Sequence, residues 1–122
     1  MTKRILVIED TEDNRQIVGD LLSSAGYELI EAVDGLEGVA TAEREQPDLI
    51  LMDIQLPGID GYEATRRIRA IPALAKVPII AVTSYALSGD EAKTREAGCD
   101  GYVAKPYSPR QLLAKIREYL PS

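Results

Sequence analysis

Short apolar runs alternate with amphipathic stretches along the whole chain. Ile5–Ile8, Leu49–Met52 and Ile79–Val82 are continuously apolar over only four residues each. Runs of that length without polar alternation predict strands buried on both faces, as in a parallel sheet. Tyr27–Ala32 carries Glu28 and Glu31, and Gly101–Ala104 is brief, so these two predict edge strands, where charge and shortness discourage further pairing. Ile17, Leu21, Leu22 and Ala25 recur at helical spacing before Gly26, which supplies a stop. Leu36, Val39 and Ala40 mark a weaker second helix, and Ala64, Ile68 and Ile71 a third with Arg66, Arg67 and Arg69 towards solvent. Ser88–Gly98 has only Ala92 and Ala97 as apolar positions, so it predicts a helix weakly anchored by burial. The last helix opens with Ser108 as N-cap and Pro109 in its first turn, then presents Leu112, Leu113, Ile116 and Leu120.

Five strands alternating with five helices predict an α/β doubly wound domain, its right-handed crossovers covering both faces of a parallel sheet. With the second and fifth strands at the edges, the first strand is internal and the chain must reverse direction after the second. Ligands of open α/β sheets bind outside the carboxyl ends of the strands at such a reversal, so the chemistry is expected there.

Composition narrows the chemistry further. The 122 residues suit one domain, 1–122, with 45% hydrophobic and 28% charged residues, a globular mixture. Fourteen Lys and Arg against 20 Asp and Glu give a formal net charge of −6, which disfavours bulk binding to nucleic acid. The absence of His removes Ser-His triads, His-ligated zinc and self-phosphorylation on histidine. A single cysteine, Cys99, forms no internal disulfide and is expected to be a small buried hydrophobe. The first apolar run is far shorter than the roughly 7–15 residues of a signal peptide or the about 20 of a membrane span. A cytoplasmic chain with no membrane contact is the expectation.

The strand ends carry the candidate site. Glu9 and Asp10 follow the first strand, and Asp53 follows the third. If those strands are neighbours, three carboxylates converge, and such like charges call for a cation. Oxygen ligands without His or Cys suit Mg²⁺. Thr83 and Ser84 end the fourth strand and Lys105 the fifth. Acids, a hydroxyl and an ammonium at one end of adjacent strands can bind a metal, carry a phosphoryl group on a carboxylate and neutralise its oxygens.

In these residues the chain resembles a two-component response-regulator receiver domain of the stand-alone, chemotaxis-regulator-like type. The resemblance runs through Glu9-Asp10, Asp53 with Leu56-Pro57-Gly58 and Asp60-Gly61, Thr83-Ser84, Ala97-Gly98 and Lys105-Pro106. It implies a flavodoxin-like sheet of order 2-1-3-4-5 and a cis Lys105–Pro106 bond. It also implies that Asp53 accepts a phosphoryl group from a histidine kinase or histidine phosphotransferase. Mg²⁺ would then be held by Glu9, Asp10, Asp53 and the backbone carbonyl of Gln55. Thr83 would hydrogen-bond the phosphoryl group, Lys105 would pair with it, and Tyr102 would reorient with Thr83. Glu9 stands where many members have Asp, and Tyr107 where Phe is common.

Two other classes fit less well. A Mg²⁺-dependent aspartyl-phosphate phosphohydrolase would carry its nucleophile after the first strand, with a second Asp two residues on and a cap over the site. Here Asp53 ends the third strand and position 55 is Gln. A flavin or nucleotide binder would need a Gly/Ser/Thr-rich first loop, whereas Glu9-Asp10-Thr11-Glu12-Asp13 is acidic. The expectation is therefore a phosphoacceptor regulator, not an enzyme acting on an external substrate, and monomeric or weakly dimeric. Its downstream protein target would engage the fourth helix, fifth strand and fifth helix. Gly58 and Gly61 are read as turn and cap residues, and Arg66, Arg67 and Arg69 as a solvated face. Gln55 and Tyr85, two residues beyond Asp53 and Thr83, would flank the phosphoryl group. Gln55 could orient a water, but with no acid at position 85 and the bulk of Tyr85 excluding water, loss is expected to be slow.

Overall fold

The computed structural model describes residues 2–84 and 90–120. Five parallel strands, β1 (Arg4–Ile8), β2 (Glu28–Ala32), β3 (Leu49–Asp53), β4 (Ile79–Thr83) and β5 (Gly101–Ala104), form one sheet of order β2-β1-β3-β4-β5. Helices α1 (Glu12–Ser24), α2 (Gly35–Glu45), α3 (Gly61–Arg69), α4 (Asp90–Ala97) and α5 (Pro109–Tyr119) connect and follow them. The architecture is the doubly wound, flavodoxin-like one expected, with β2 and β5 at the edges.

Alternate residues of the central strands feed two separate cores, because successive side chains leave a strand on opposite faces. Ile5, Val7, Leu49, Leu51, Ile80 and Val103 pack with Val18 and Leu22 of α1 and Leu112 and Ile116 of α5. Leu6, Ile8, Ile50, Met52, Ile79 and Ala81 pack with Ala42 of α2 and Ala64 and Ile68 of α3. Every residue of β3 and β4 is buried, which explains their unbroken apolar patterns. A further 3-10 turn at Pro72–Leu74, not foreseen from the sequence, buries Leu74.

The expected faces of α3 (Ala64, Ile68) and α5 (Leu112, Ile116) are buried, whereas α1, α2 and α4 depart in part from expectation. In α1, Val18 and Leu22 meet the sheet, Leu21 is half-buried and Ile17 is 65% exposed. In α2 only Val39 of the expected face packs on the core: Leu36 is 59% exposed and Ala40 is exposed, whereas Gly35, Gly38, Thr41 and Ala42 are buried. A Cβ on Gly38 would lie 2.6 Å from Ile8 Cδ1, so the helix rests on β1 through a residue that apolar periodicity cannot register. In α4, Ala92 is exposed and Thr94 takes its place, buried with its hydroxyl donating to the Glu91 carbonyl at 2.7 Å.

Arg69 also breaks the expected pattern. Arg66 and Arg67 pair with Glu63 in solvent. Arg69 instead turns inward, donating to the carbonyls of Gly98 at 2.8 Å and Val77 at 2.6 Å and to Asp100 Oδ2 at 2.6 Å. It ties the end of α3 to the segments entering β4 and β5, so its charge is structural. Other local signals hold. Ser108 caps α5 in a capping box with Gln111, and Asp34 and Asp60 cap α2 and α3. Cys99 is buried against the Thr65 hydroxyl, its thiol pushed up by burial.

Candidate functional site

Register brings the strand-end residues level. Ile8 pairs with Met52, Asp53 with Val82, and Thr83 with Ala104. Glu9, Asp53, Thr83 and Lys105 therefore stand at one rim, on three neighbouring pairs of strands at the chain reversal. Ligand oxygens of Glu9, Asp10 and Asp53 lie within 4.8 Å of one another, with Glu9 and Asp53 buried and Asp10 exposed. The expected convergence of three carboxylates is present.

The rim is held by a dense set of donors. Glu9 accepts from the Thr11 N–H at 3.1 Å, from Asn14 Nδ2 at 3.3 Å and from Lys105 Nζ at 3.1 Å. Lys105 Nζ lies 3.8 Å from Asp53 Oδ2, so the ammonium sits between the two buried carboxylates and closer to Glu9. Asp53 Oδ1 accepts from the Gln55 N–H at 3.0 Å. The Gln55 side chain crosses to β4, with Nε2 donating to Thr83 Oγ1 at 2.8 Å and Oε1 accepting from the Ser84 N–H at 3.1 Å. Behind Asp53 lies a recess of about 20 Å³ walled by Val7, Val18 and Leu51, with room for about one water.

Electrostatics show what this arrangement lacks. Burial raises the Asp53 carboxyl, the Glu9 charge raises it further, Lys105 opposes both, and the pKa reaches about 7. Burial also raises Glu9, but the Thr11 N–H, the Asp10 hydrogen bond and the Lys105 charge outweigh it and lower its pKa. The hydrogen bond to Glu9, followed by burial, raises Asp10. For Lys105, burial acts downward, but Asp53 and Glu9 outweigh it and hold the ammonium more firmly charged. One ammonium thus does not satisfy three carboxylates. An all-oxygen set with excess negative charge fits a hard divalent cation with open positions for further ligands.

The structure brings Glu9, Asp10, Asp53, Gln55, Thr83 and Lys105 together as expected, and the Lys105–Pro106 bond is cis. Tyr102 stands nearer the amino end of β5, away from the rim, lining a polar cleft of about 250 Å³ between α4 and α5 with Thr94, Arg95, Lys115 and Glu118. Tyr85, the expected second flank of the phosphoryl group, lies outside the described residues, as do Ser88 and Gly89 of the predicted fourth helix. Gly61 has a larger part than the turn or cap first read. Asp60 is the cap, and a Cβ on Gly61 would strike the Asp53 carbonyl and lie 2.6 Å from Ile54 Cα. The start of α3 is packed directly on the end of β3. The Gln55 bridge to Thr83 and Ser84 carried no signal in the sequence, because it depends on a side-chain conformation.

A 2-1-3-4-5 sheet with an acidic cluster, a hydroxyl and a lysine at its carboxyl rim defines a doubly wound α/β domain with an oxygen-lined candidate metal site at the chain reversal. Residues 5–117 match the response regulator receiver domain family. The chain is 42% identical over 120 residues to the polar-differentiation response regulator DivK of Brucella ovis, with 98% of each covered. It is 40% identical, with a TM-score of 0.92 and both chains fully covered, to the receiver domain of a sensor histidine kinase from Pseudomonas aeruginosa PAO1, whose structure holds a magnesium ion in the active site cleft. The chemotaxis response regulator CheY4 of Vibrio cholerae is 28% identical, with a TM-score of 0.93 over 98% of this chain and 99% of that one. This chain belongs to the response regulator receiver domain family. Receiver domains are phosphorylation-dependent signalling switches that interact with histidine kinases or phosphotransferases and with downstream targets.

Proposed function

We propose that Asp53 is the phosphoacceptor of a cytoplasmic receiver domain spanning residues 1–122, charged by the phosphohistidine of a sensor kinase or histidine phosphotransferase. The observation that carries this reading is the placement of a buried carboxylate between an acid pair and an ammonium, 3.8 Å from Lys105 Nζ. An Asp53 carboxylate oxygen attacks phosphorus as the P–N bond to the donor imidazole breaks, and the released imidazole takes up a proton from solvent. Asp53 Oδ1 stays oriented by the Gln55 N–H, which leaves Oδ2, on the Lys105 side, as the attacking atom. Lys105 moves its charge from the free carboxylates to the new phosphoryl oxygens. Thr83 supplies a hydroxyl from the end of β4 to a second oxygen. Mg²⁺, held by Glu9, Asp10, Asp53 and the Gln55 carbonyl, would neutralise phosphoryl charge when bound.

The site turns over no external substrate on this reading. Its own chemistry is Mg²⁺-dependent self-phosphorylation from small donors and slow loss of the phosphoryl group. Output passes to a protein target through α4, β5 and α5, with the chain monomeric or weakly dimeric. Support for that face comes from α4, anchored by Thr94 and Ala97 alone among its described side chains, and from Tyr102 in the neighbouring cleft. No helix among the described residues is long and apolar enough to cross a membrane. The test is labelling by acetyl phosphate with Mg²⁺ present. Asp53→Asn and chelation of Mg²⁺ should each abolish it, and undiminished labelling of the Asn variant would remove Asp53 from the role.

A further inference from the structure

The Gln55 side chain joins the two groups that close β4 on the Asp53 side. Oε1 accepts from the Ser84 N–H at 3.1 Å while Nε2 donates to Thr83 Oγ1 at 2.8 Å. The carboxamide has one possible orientation here, because a backbone N–H only donates, so the oxygen faces Ser84 and the nitrogen faces Thr83. Its own backbone N–H is already on Asp53 Oδ1. One residue thereby links the phosphoacceptor to the end of the neighbouring strand.

That link stands where a phosphoryl group needs partners. The group brings acceptor oxygens only, and Lys105 answers for one of them. The donors at the end of β4 that the Gln55 side chain reaches are the Ser84 N–H, which has a single proton already given to Gln55, and the Thr83 hydroxyl. Because Nε2 occupies a lone pair of Thr83 Oγ1, the hydroxyl proton is directed away from Gln55. We propose that the Gln55 carboxamide is a positioning latch, holding the end of β4 in place of a phosphoryl group until phosphorylation of Asp53 displaces it. The inference rests on the phosphoacceptor reading of Asp53. Displacement is favoured because a bond from the Ser84 N–H to a charged phosphoryl oxygen is stronger than one to a neutral amide. The latch therefore sets a threshold for switching and does not block it.

Gln55→Ala removes both side-chain bonds and keeps the backbone N–H and carbonyl, and Gln55→Met does so at nearly constant length. Beryllofluoride, a phosphoryl analogue, should bind both Mg²⁺-loaded variants about 3- to 10-fold more tightly than wild type, since an internal competitor worth one or two net hydrogen bonds is gone. In the unliganded variants the Ser84 amide should exchange hydrogen faster than in wild type. Equal or weaker beryllofluoride binding overturns the proposal, as does a gain matched by an equal gain in Mg²⁺ affinity, which would place the effect in the acidic cluster. Unchanged Ser84 exchange refutes the bridge itself. A wild type that takes no beryllofluoride refutes the phosphoacceptor reading instead.

Discussion

Asp53 sits where an ionised carboxylate is least comfortable, and that discomfort makes it responsive. Its folded pKa of about 7 stands above the ordinary 3.8, so its contribution to stability is full below about pH 4 and is lost as pH rises through 7. Glu9 has the opposite sign: its lowered pKa stabilises at neutral pH, and that contribution is lost only in acid. Urea denaturation of the metal-free protein should therefore show stability falling between about pH 5 and pH 7 and levelling off above that. Asp53→Asn should flatten that slope and add about 1–2 kcal/mol at pH 8. A slope unchanged in the Asn variant would assign the titration to another group. The acids at the rim were legible in the sequence because their positions follow from where apolar runs stop. The preference of Lys105 for Glu9 over Asp53 was not, since it is a difference of tenths of an ångström set by the longer Glu9 side chain.

Among the elements, strands were easier to read than helix faces. An unbroken apolar run such as Ile79–Val82 has one explanation, burial on both sides, and β4 is buried throughout. A helix that touches the sheet through glycine offers no such pattern, which is why Leu36 was expected inside α2 and is found outside. Arg69 was misjudged for a related reason: its carbonyl partners at Gly98 and Val77 are distant in sequence. Gly61 carries the clearest consequence for the site. Adding a methyl group there forces α3 away from the end of β3, so Gly61→Ala should lose roughly 1–3 kcal/mol in denaturant unfolding. Arg66→Ala, on the exposed face of α3, should change stability by less than about 0.5 kcal/mol. Equal effects of the two would contradict the close packing of Gly61 on Asp53 and Ile54.

At the scale of the whole molecule the two cores are unequal in what they hold still. β1, β3 and β4 are gripped from both faces, whereas among the described side chains of α4 only Thr94 and Ala97 are buried. New bonds at the rim should therefore be felt most on the α4 side. Amide exchange on addition of beryllofluoride with Mg²⁺ should change most in α4, β5 and the start of α5, and a largest change in α1 or α2 would contradict this path. The two-sided core follows from the alternation of apolar runs readable in the chain, whereas the strand order comes from the resemblance to receiver domains. The proposed coupling between Thr83 and the α4–β5–α5 face is not legible in the chain, because it depends on which side chains give way.

The phosphoacceptor role of Asp53 amounts to a covalent bond at one residue. After incubation with a phosphohistidine donor and Mg²⁺, borohydride reduces an aspartyl phosphate to homoserine, and mass spectrometry of the digested chain locates it. Homoserine should appear at position 53 alone, and nowhere when Mg²⁺ is chelated. Homoserine at Asp10 or elsewhere, or none in the Mg²⁺-loaded protein, would contradict that role.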